Sequence, residues 1–382
     1  MKTSSVPDQR LRRSRSNSSA STVGRVRIAM MGTRGVPALY GGFETAVEEV
    51  GSRLAERGYE VTVYCRNPGQ KITQYKGMNL VNLPAIHHRI AETLSHTAVS
   101  SLHAIIRSRP DAVLLMNAGN APFIGPLRLA KIPTAIHLDG LESQREKWRG
   151  LGARYYRWAE KSAVKNGAFI ISDAQAIAEY ILNHYGRESE MITYGAEIID
   201  PPSDRLAELD LAAGEFHLLV ARLEPENHVW EAVIGYTQSN QQKPLVLVGS
   251  APYSAGYINR VKNESDSRTR FLGGIYDQEL LNQLYAHCAT YTHGHSVGGT
   301  NPSLLRAMGA GVATLAFDCD FNREVTDNLA LYWSSAESYA ELLDNFTPTD
   351  MGLQLQERVS RVYQWDRVTD QYVKLIERMV DK

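Results

Sequence analysis

Cysteine is scarce in this chain: Cys65, Cys288 and Cys319 are odd in number and far apart. Such a set offers neither a disulfide framework nor the paired spacing of a zinc site, and it fits a reducing cytoplasm. A surplus of charge of one sign is missing too. With 41 Lys and Arg against 42 Asp and Glu the formal net charge is −1, so no global basic field argues for a nucleic-acid partner. No apolar run is long enough to cross a bilayer, which leaves any membrane contact peripheral. The first strand is not followed by the G-x-G-x-x-G fingerprint, which disfavours a nicotinamide enzyme. What is there, 382 residues with 43% hydrophobic and 22% charged content, is a globular composition too long for one ordinary core. Two domains are expected.

Residues 1–24 are rich in Ser and Arg, with Arg10, Arg12, Arg13 and Arg15 clustered against a single acid, Asp8. This stretch has too little apolar surface to offset its ordering entropy and is expected to be a disordered basic tail, either solvated or tethered to anionic lipid. The run from Arg25 to Met31 reads as a buried parallel strand. It leads into the glycine loop from Gly32 to Gly42 and a helix from about Phe43 to Arg57, then a strand from Glu60 to Cys65. In such a β-α-β unit ligands bind at the carboxyl end of the strand, which makes Gly41 and Gly42 candidates. Further strands are expected at 111–116, 133–137 and 168–173, the last ending in a helix cap. The segment after the strand at 133–137 carries His137, Asp139, Glu142, Arg145 and Lys147, a cluster of acids and bases at a cleft edge. Ordinary surface charges on a helix start would look the same.

The stretch with the most information is His293 to Gly311. A β-prone segment, the turn Gly298-Gly299-Thr300-Asn301 and a helix opening at Pro302 follow one another. That order aims unpaired backbone N–H groups at an anion, Thr300 or Asn301 can cap, and proline suits the first helical position. A tight turn without a ligand has the same glycines. Strands are also expected at 216–221, 244–249, 270–273 and 312–317, and a helix with a break near Trp365 from Leu353 to Met379. Asp318-Cys319-Asp320 has the form of a metal-binding D-x-D, but three residues recur by chance.

Read together, these motifs resemble the retaining GT-B glycosyltransferases of family four, specifically their bacterial rhamnosyltransferase-like branch. The resemblance lies in the run from Gly32 to Glu44, in D-G-x-E at Asp139 to Glu142, in Arg222 to Asn227, in His295 to Met308 and in Phe321 to Val325. It implies an α/β GT-B fold of two Rossmann-like doubly wound domains facing a cleft. Residues 25–196 would form the acceptor-side domain, 197–214 a linker and 215–352 the nucleotide-sugar domain, with helices of 353–382 packing back on the first. Donor-binding residues would be Gly41, Gly42, Arg222, Asn227, Gly298, Gly299, Thr300, Asn301, Ser303 and Arg306, and catalytic ones Asp139, Glu142 and His137.

The implied reaction transfers a sugar, rhamnose among the candidates, from a nucleoside-diphosphate donor to a glycan or polyprenyl-linked acceptor in cell-surface polysaccharide synthesis. Retention and no metal or other cofactor are expected, in the cytoplasm or at the inner membrane face. Two positions depart from the pattern: Ser143 replaces a tryptophan, and Arg306 stands where the family has glutamate. Glutamate accepts from ribose hydroxyls and arginine can only donate. Weakened or altered nucleotide binding follows, unless Arg306 pairs with a phosphate or with Glu324. A catalytically weakened sugar-nucleotide-binding partner is therefore the alternative, and a GT-B-fold epimerase a third class whose catalytic acids are not recognisable here.

Overall fold

The computed structural model describes residues 25–38, 41–66, 69, 71–86, 91–138, 151–166, 169–250 and 255–381. Two parallel sheets dominate it. The first begins with β1 (Arg27–Met31), α1 (Gly42–Glu56) and β2 (Glu60–Cys65), where Val47, Val50 and Leu54 line the buried stripe of α1. A short hairpin, β3 (Gln74–Tyr75) and β4 (Met78–Asn82), precedes α2 (Ala91–His103). Then come β5 (Ala112–Met116), a 3-10 turn at Ala118–Phe123, α3 (Ile124–Leu129) and β6 (Thr134–Leu138). The unit closes with α4 (Leu151–Asn166), β7 (Phe169–Ser172), α5 (Gln175–Tyr185) and β8 (Glu190–Met191). Its strand order is β3-β4-β2-β1-β5-β6-β7-β8, antiparallel only in the hairpin. β5 and β6 are buried at every position, as strands covered on both faces must be.

The second sheet is built by the same alternation. β9 (His217–Val220), α6 (Val229–Gln238), β10 (Leu245–Val248), α7 (Ala255–Glu264) and β11 (Thr269–Gly273) form one half. The other half is α8 (Gln278–His287), β12 (Thr290–His293), α9 (Pro302–Gly309), β13 (Thr314–Phe317), α10 (Asp320–Thr326), β14 (Leu331–Trp333) and α11 (Ala336–Asn345). The order β11-β10-β9-β12-β13-β14 is parallel throughout, with its switch point between β9 and β12. A ligand of a doubly wound sheet sits above that point, beyond the strands' carboxyl ends.

The break expected near Trp365 is there and divides the C-terminal stretch into two helices. α12 (Met351–Arg358) runs through a π turn to Gln364, whose extended backbone breaks it, and α13 (Trp365–Val380) follows. α13 buries Trp365, Val368, Tyr372, Leu375, Ile376 and Met379 at helical spacing, and packs on α1 and β5 of the first sheet. Arg57 pairs with Asp370 at 2.6 Å, and Ala196 N–H donates to Tyr363 at 2.7 Å, so the chain's end is fastened to the first unit.

Candidate functional site

The two glycine segments meet. Gly41, at φ 108°, turns the chain into α1, a backbone that a residue with a side chain resists. A Cβ on the next residue, Gly42, would stand 3.1 Å from Cγ of Pro302, the first residue of α9. The amino ends of α1 and α9, one from each sheet, therefore face each other across the cleft. Each such end carries roughly half a positive charge, and a pair of them is a place for an anion.

The rest of the first loop is spoken for. Glu44 and Glu48, one turn apart on α1, accept from the backbone N–H groups of Arg34 at 3.1 Å and Ala38 at 2.6 Å. Glu48 also holds the Tyr75 hydroxyl and Lys76 Nζ, at 3.1 and 2.7 Å. Residues 33–38 are thus a fastened loop, with those amides spent on the protein's own carboxylates. Below it lies His137, buried at the end of β6 under Phe43 and Tyr194, with ring centroids 5.3 and 5.9 Å away. Burial pushes its imidazole down to about 4, partly offset by a hydrogen bond with the Ile192 backbone, so it is neutral near pH 7. Asp139, Glu142, Ser143, Arg145 and Lys147 lie outside the described residues.

In the second unit the loops after β9, β12 and β13 are bound to one another. Asn227 is buried, donates to the Arg222 carbonyl at 2.6 Å and pairs its Oδ1 with His295 Nδ1 at 2.7 Å. Its side chain shapes the two loops. His228 Nε2 and Ser296 Oγ are 2.9 Å apart, and Ser296 N–H donates to the Glu226 carbonyl. Asn322 of α10 closes the set by donating to the carbonyls of His295 and Phe317, at 2.9 and 2.8 Å. Arg222 stands half exposed at the rim, its guanidinium 3.4 Å from Glu224. Asn301 caps α9 by accepting from Ser303 N–H at 2.9 Å.

Two carboxylates cross the cleft. The backbone N–H of Thr300 donates to Asp173 Oδ2 at 3.1 Å, and the Thr300 hydroxyl donates to the Asp173 carbonyl at 2.6 Å. Gly299 is bare where Asp173 sits, since a Cβ there would overlap its carboxylate. Asp173 was expected to cap the helix that follows it; instead α5 has no side-chain cap of its own, and Glu324 of α10 accepts from Gln175 N–H at 2.7 Å and Ala176 N–H at 3.4 Å. Each unit thereby lends a carboxylate to a helix start of the other. Sequence reasoning missed this exchange, because an aspartate before a helix signals a cap and nothing local shows the reach to another sheet.

Arg306 does not meet Glu324. Its Nη2 donates to Gln278 Oε1 at 2.7 Å, at the start of α8, and the guanidinium lies 5.8 Å over the Tyr285 ring. Asp318 is engaged with Arg323 at 2.6 Å. Among the described residues no group of three or more His, Cys, Asp or Glu is placed to hold a metal ion.

A family model described as a domain of unknown function (DUF1972) matches residues 25–197. No curated protein matches the sequence. Solved structures match more than nine-tenths of it. A sucrose-phosphate synthase from Thermosynechococcus elongatus superposes with a TM-score of 0.79 at 20% identity, over 93% of this chain and 99% of that one. Anabaena HepE in complex with UDP-glucose gives 0.73 at 16%, over 92% and 100%. A glycosyltransferase from Rickettsia africae gives 0.72 at 14%, over 94% and 99%. At such identities the likeness speaks for architecture: the chain has the GT-B fold, two Rossmann-like domains about a cleft.

Proposed function

We propose that this chain is a glycosyltransferase that moves a hexose from a nucleoside-diphosphate donor to a glycan or polyprenyl-linked acceptor in cell-surface polysaccharide synthesis, with rhamnose among the candidate sugars. The observation that carries the reading is the convergence of the α1 and α9 amino ends at Gly42 and Pro302, with Arg222 as the cation that the resemblance assigns to the diphosphate. A departing diphosphate gains charge as the glycosidic bond breaks, and two helix ends with a guanidinium stabilise charge that grows in place. The fold's neighbours lend support, since HepE is a complex with UDP-glucose. In this reading the reaction retains configuration, uses no metal and takes place at the cytoplasmic face of a membrane. Asp139 and Glu142 serve the acceptor side, with neutral His137 as a hydrogen-bonding group at the end of β6. A donor enters when the cleft opens, because Asp173 holds the Thr300 amide in the closed form.

A second reading, a sugar-nucleotide-binding partner with weakened chemistry, draws on Arg306, whose donor-only side chain is turned to Gln278. Product analysis by mass spectrometry separates the two. Incubation with UDP-, dTDP- and GDP-linked sugars and a lipid-linked glycan fraction yields a lengthened acceptor if the proposal holds. Nucleotide binding without product supports the partner reading, and an isomerised donor would point to an epimerase.

A further inference from the structure

The chain's charges balance overall, yet they are not spread evenly. On the sheet face covered by α2, α3 and α4, the segments 91–110, 118–131 and 151–166 hold a small acidic complement: Glu92, 3.9 Å from Arg66, and Glu160, which is buried and accepts from the hydroxyls of Tyr180 and Tyr185. Against it stand Arg154, Arg157, Lys161 and Lys165, all exposed along α4. Arg107 and Arg109 after α2, and Arg128 and Lys131 around α3, are exposed as well. Apolar groups lie among these cations. Leu102 and Ile106 expose more than half of their surface on one side of α2 and the turn that extends it, Leu129 exposes 85%, and Trp158 exposes 53% on α4. Trp158 is steadied by Tyr155, ring to ring at 5.8 Å, and the Tyr155 hydroxyl is tied to the Gly119 carbonyl at 2.7 Å.

We propose that this α2–α3–α4 face docks on an anionic phospholipid surface. An excess of exposed cations supplies attraction to acidic headgroups, and a tryptophan with scattered aliphatic tips is suited to the headgroup boundary. A face shared with a second copy of the chain would bring the same cations together and repel at close range. The inference gives the membrane contact of the proposed function a location, but it does not depend on sugar transfer. Vesicle binding reads it without donor or acceptor, so loss of one reading leaves the other intact.

The test is flotation of the full-length protein with phosphatidylcholine vesicles, with and without phosphatidylglycerol. Wild type is expected to float with the anionic vesicles alone, less so at high salt. The exposed triple variant Arg154→Glu/Arg157→Glu/Lys161→Glu is expected to partition at least about tenfold more weakly. Leu102→Ser/Trp158→Ser is expected to lose the part of binding that survives salt. Changing Arg10, Arg12, Arg13 and Arg15 to Ala serves as the control for the basic tail and should leave most binding in place. Wild type that ignores anionic vesicles, a triple variant that floats like wild type, or binding abolished by the tail variant alone would overturn the proposal. So would dimerisation in light scattering that Trp158→Ser removes, which would assign the face to a second copy.

Discussion

Arg306 concentrates the question of what the cleft accepts. A guanidinium has no acceptor, so ribose hydroxyls that would donate to a carboxylate at this position find none. Its bond to Gln278 and its place over Tyr285 hold it in the second domain, on α9. Arg306→Glu is expected to tighten nucleoside-diphosphate binding by about tenfold or more, the worth of one charge-assisted hydrogen bond. Calorimetric titration measures this, and an unchanged Kd would place Arg306 outside the donor site. Glu48 gives a second residue-scale prediction. Glu48→Ala strips a partner from the Ala38 amide, the Tyr75 hydroxyl and Lys76 at once, and should cost about 1–3 kcal/mol in urea unfolding. At this scale the sequence was partly legible. Gly41, Gly42 and Asn301 announced themselves by residue type and spacing, whereas the roles of Glu44 and Glu48 depend on where a loop folds back.

The elements most exposed to test are the amino ends of α5 and α9, each served by a carboxylate from the opposite domain. Glu324→Ala removes the carboxylate that accepts from the first amides of α5 and should cost about 1 kcal/mol, as a lost cap does. Asp173→Ala should cost a similar amount by leaving the Thr300 amide unmet. If both carboxylates hold the cleft closed, their effects couple, and the double variant shows a larger radius of gyration in X-ray scattering. Additive losses with unchanged scattering would confine both to local caps. Strands such as β5 and β10 were legible from continuous apolar runs, and α9 from its proline and asparagine. No element was assigned from sequence to α2, α4, α6 or α7. α2 is rich in Ser, Thr and His, and α4 builds its buried side from Tyr155, Ala159 and Ala163 rather than from large aliphatics like those of α1.

For the whole molecule, buried histidines set the acid limit. Burial lowers His96, His137 and His217 from 6.5 to about 4 and His293 to about 3. In the folded state these rings stay neutral while the unfolded chain takes up protons, so their contribution is intact above pH 6.5. It is lost progressively as pH falls from 6.5 toward 4, and for His293 toward 3. The melting temperature is therefore expected to drop across that window, and His217→Gln should flatten part of the decline. A melting temperature level from pH 6.5 to 4 would mean these rings are not held neutral. The architecture was the most legible level: length implied two domains, the first β-α-β unit implied an α/β class, and the family resemblance implied two doubly wound sheets. How the sheets are latched was not, since Asp173 to Thr300 and Glu324 to Gln175 join positions 127 and 149 residues apart.

The central claim is that the cleft binds a nucleoside diphosphate. Thermal unfolding with UDP, dTDP, GDP and ADP in turn, on wild type, Arg222→Ala and Arg306→Glu, tests it most directly. One nucleotide, at a hundredfold excess over its Kd, is expected to add about 2.7 kcal/mol to the stability of the native state. Arg222→Ala should abolish the gain, and Arg306→Glu should enlarge it at lower nucleotide concentration. Unchanged unfolding with every nucleotide, in wild type and Arg306→Glu alike, would contradict it.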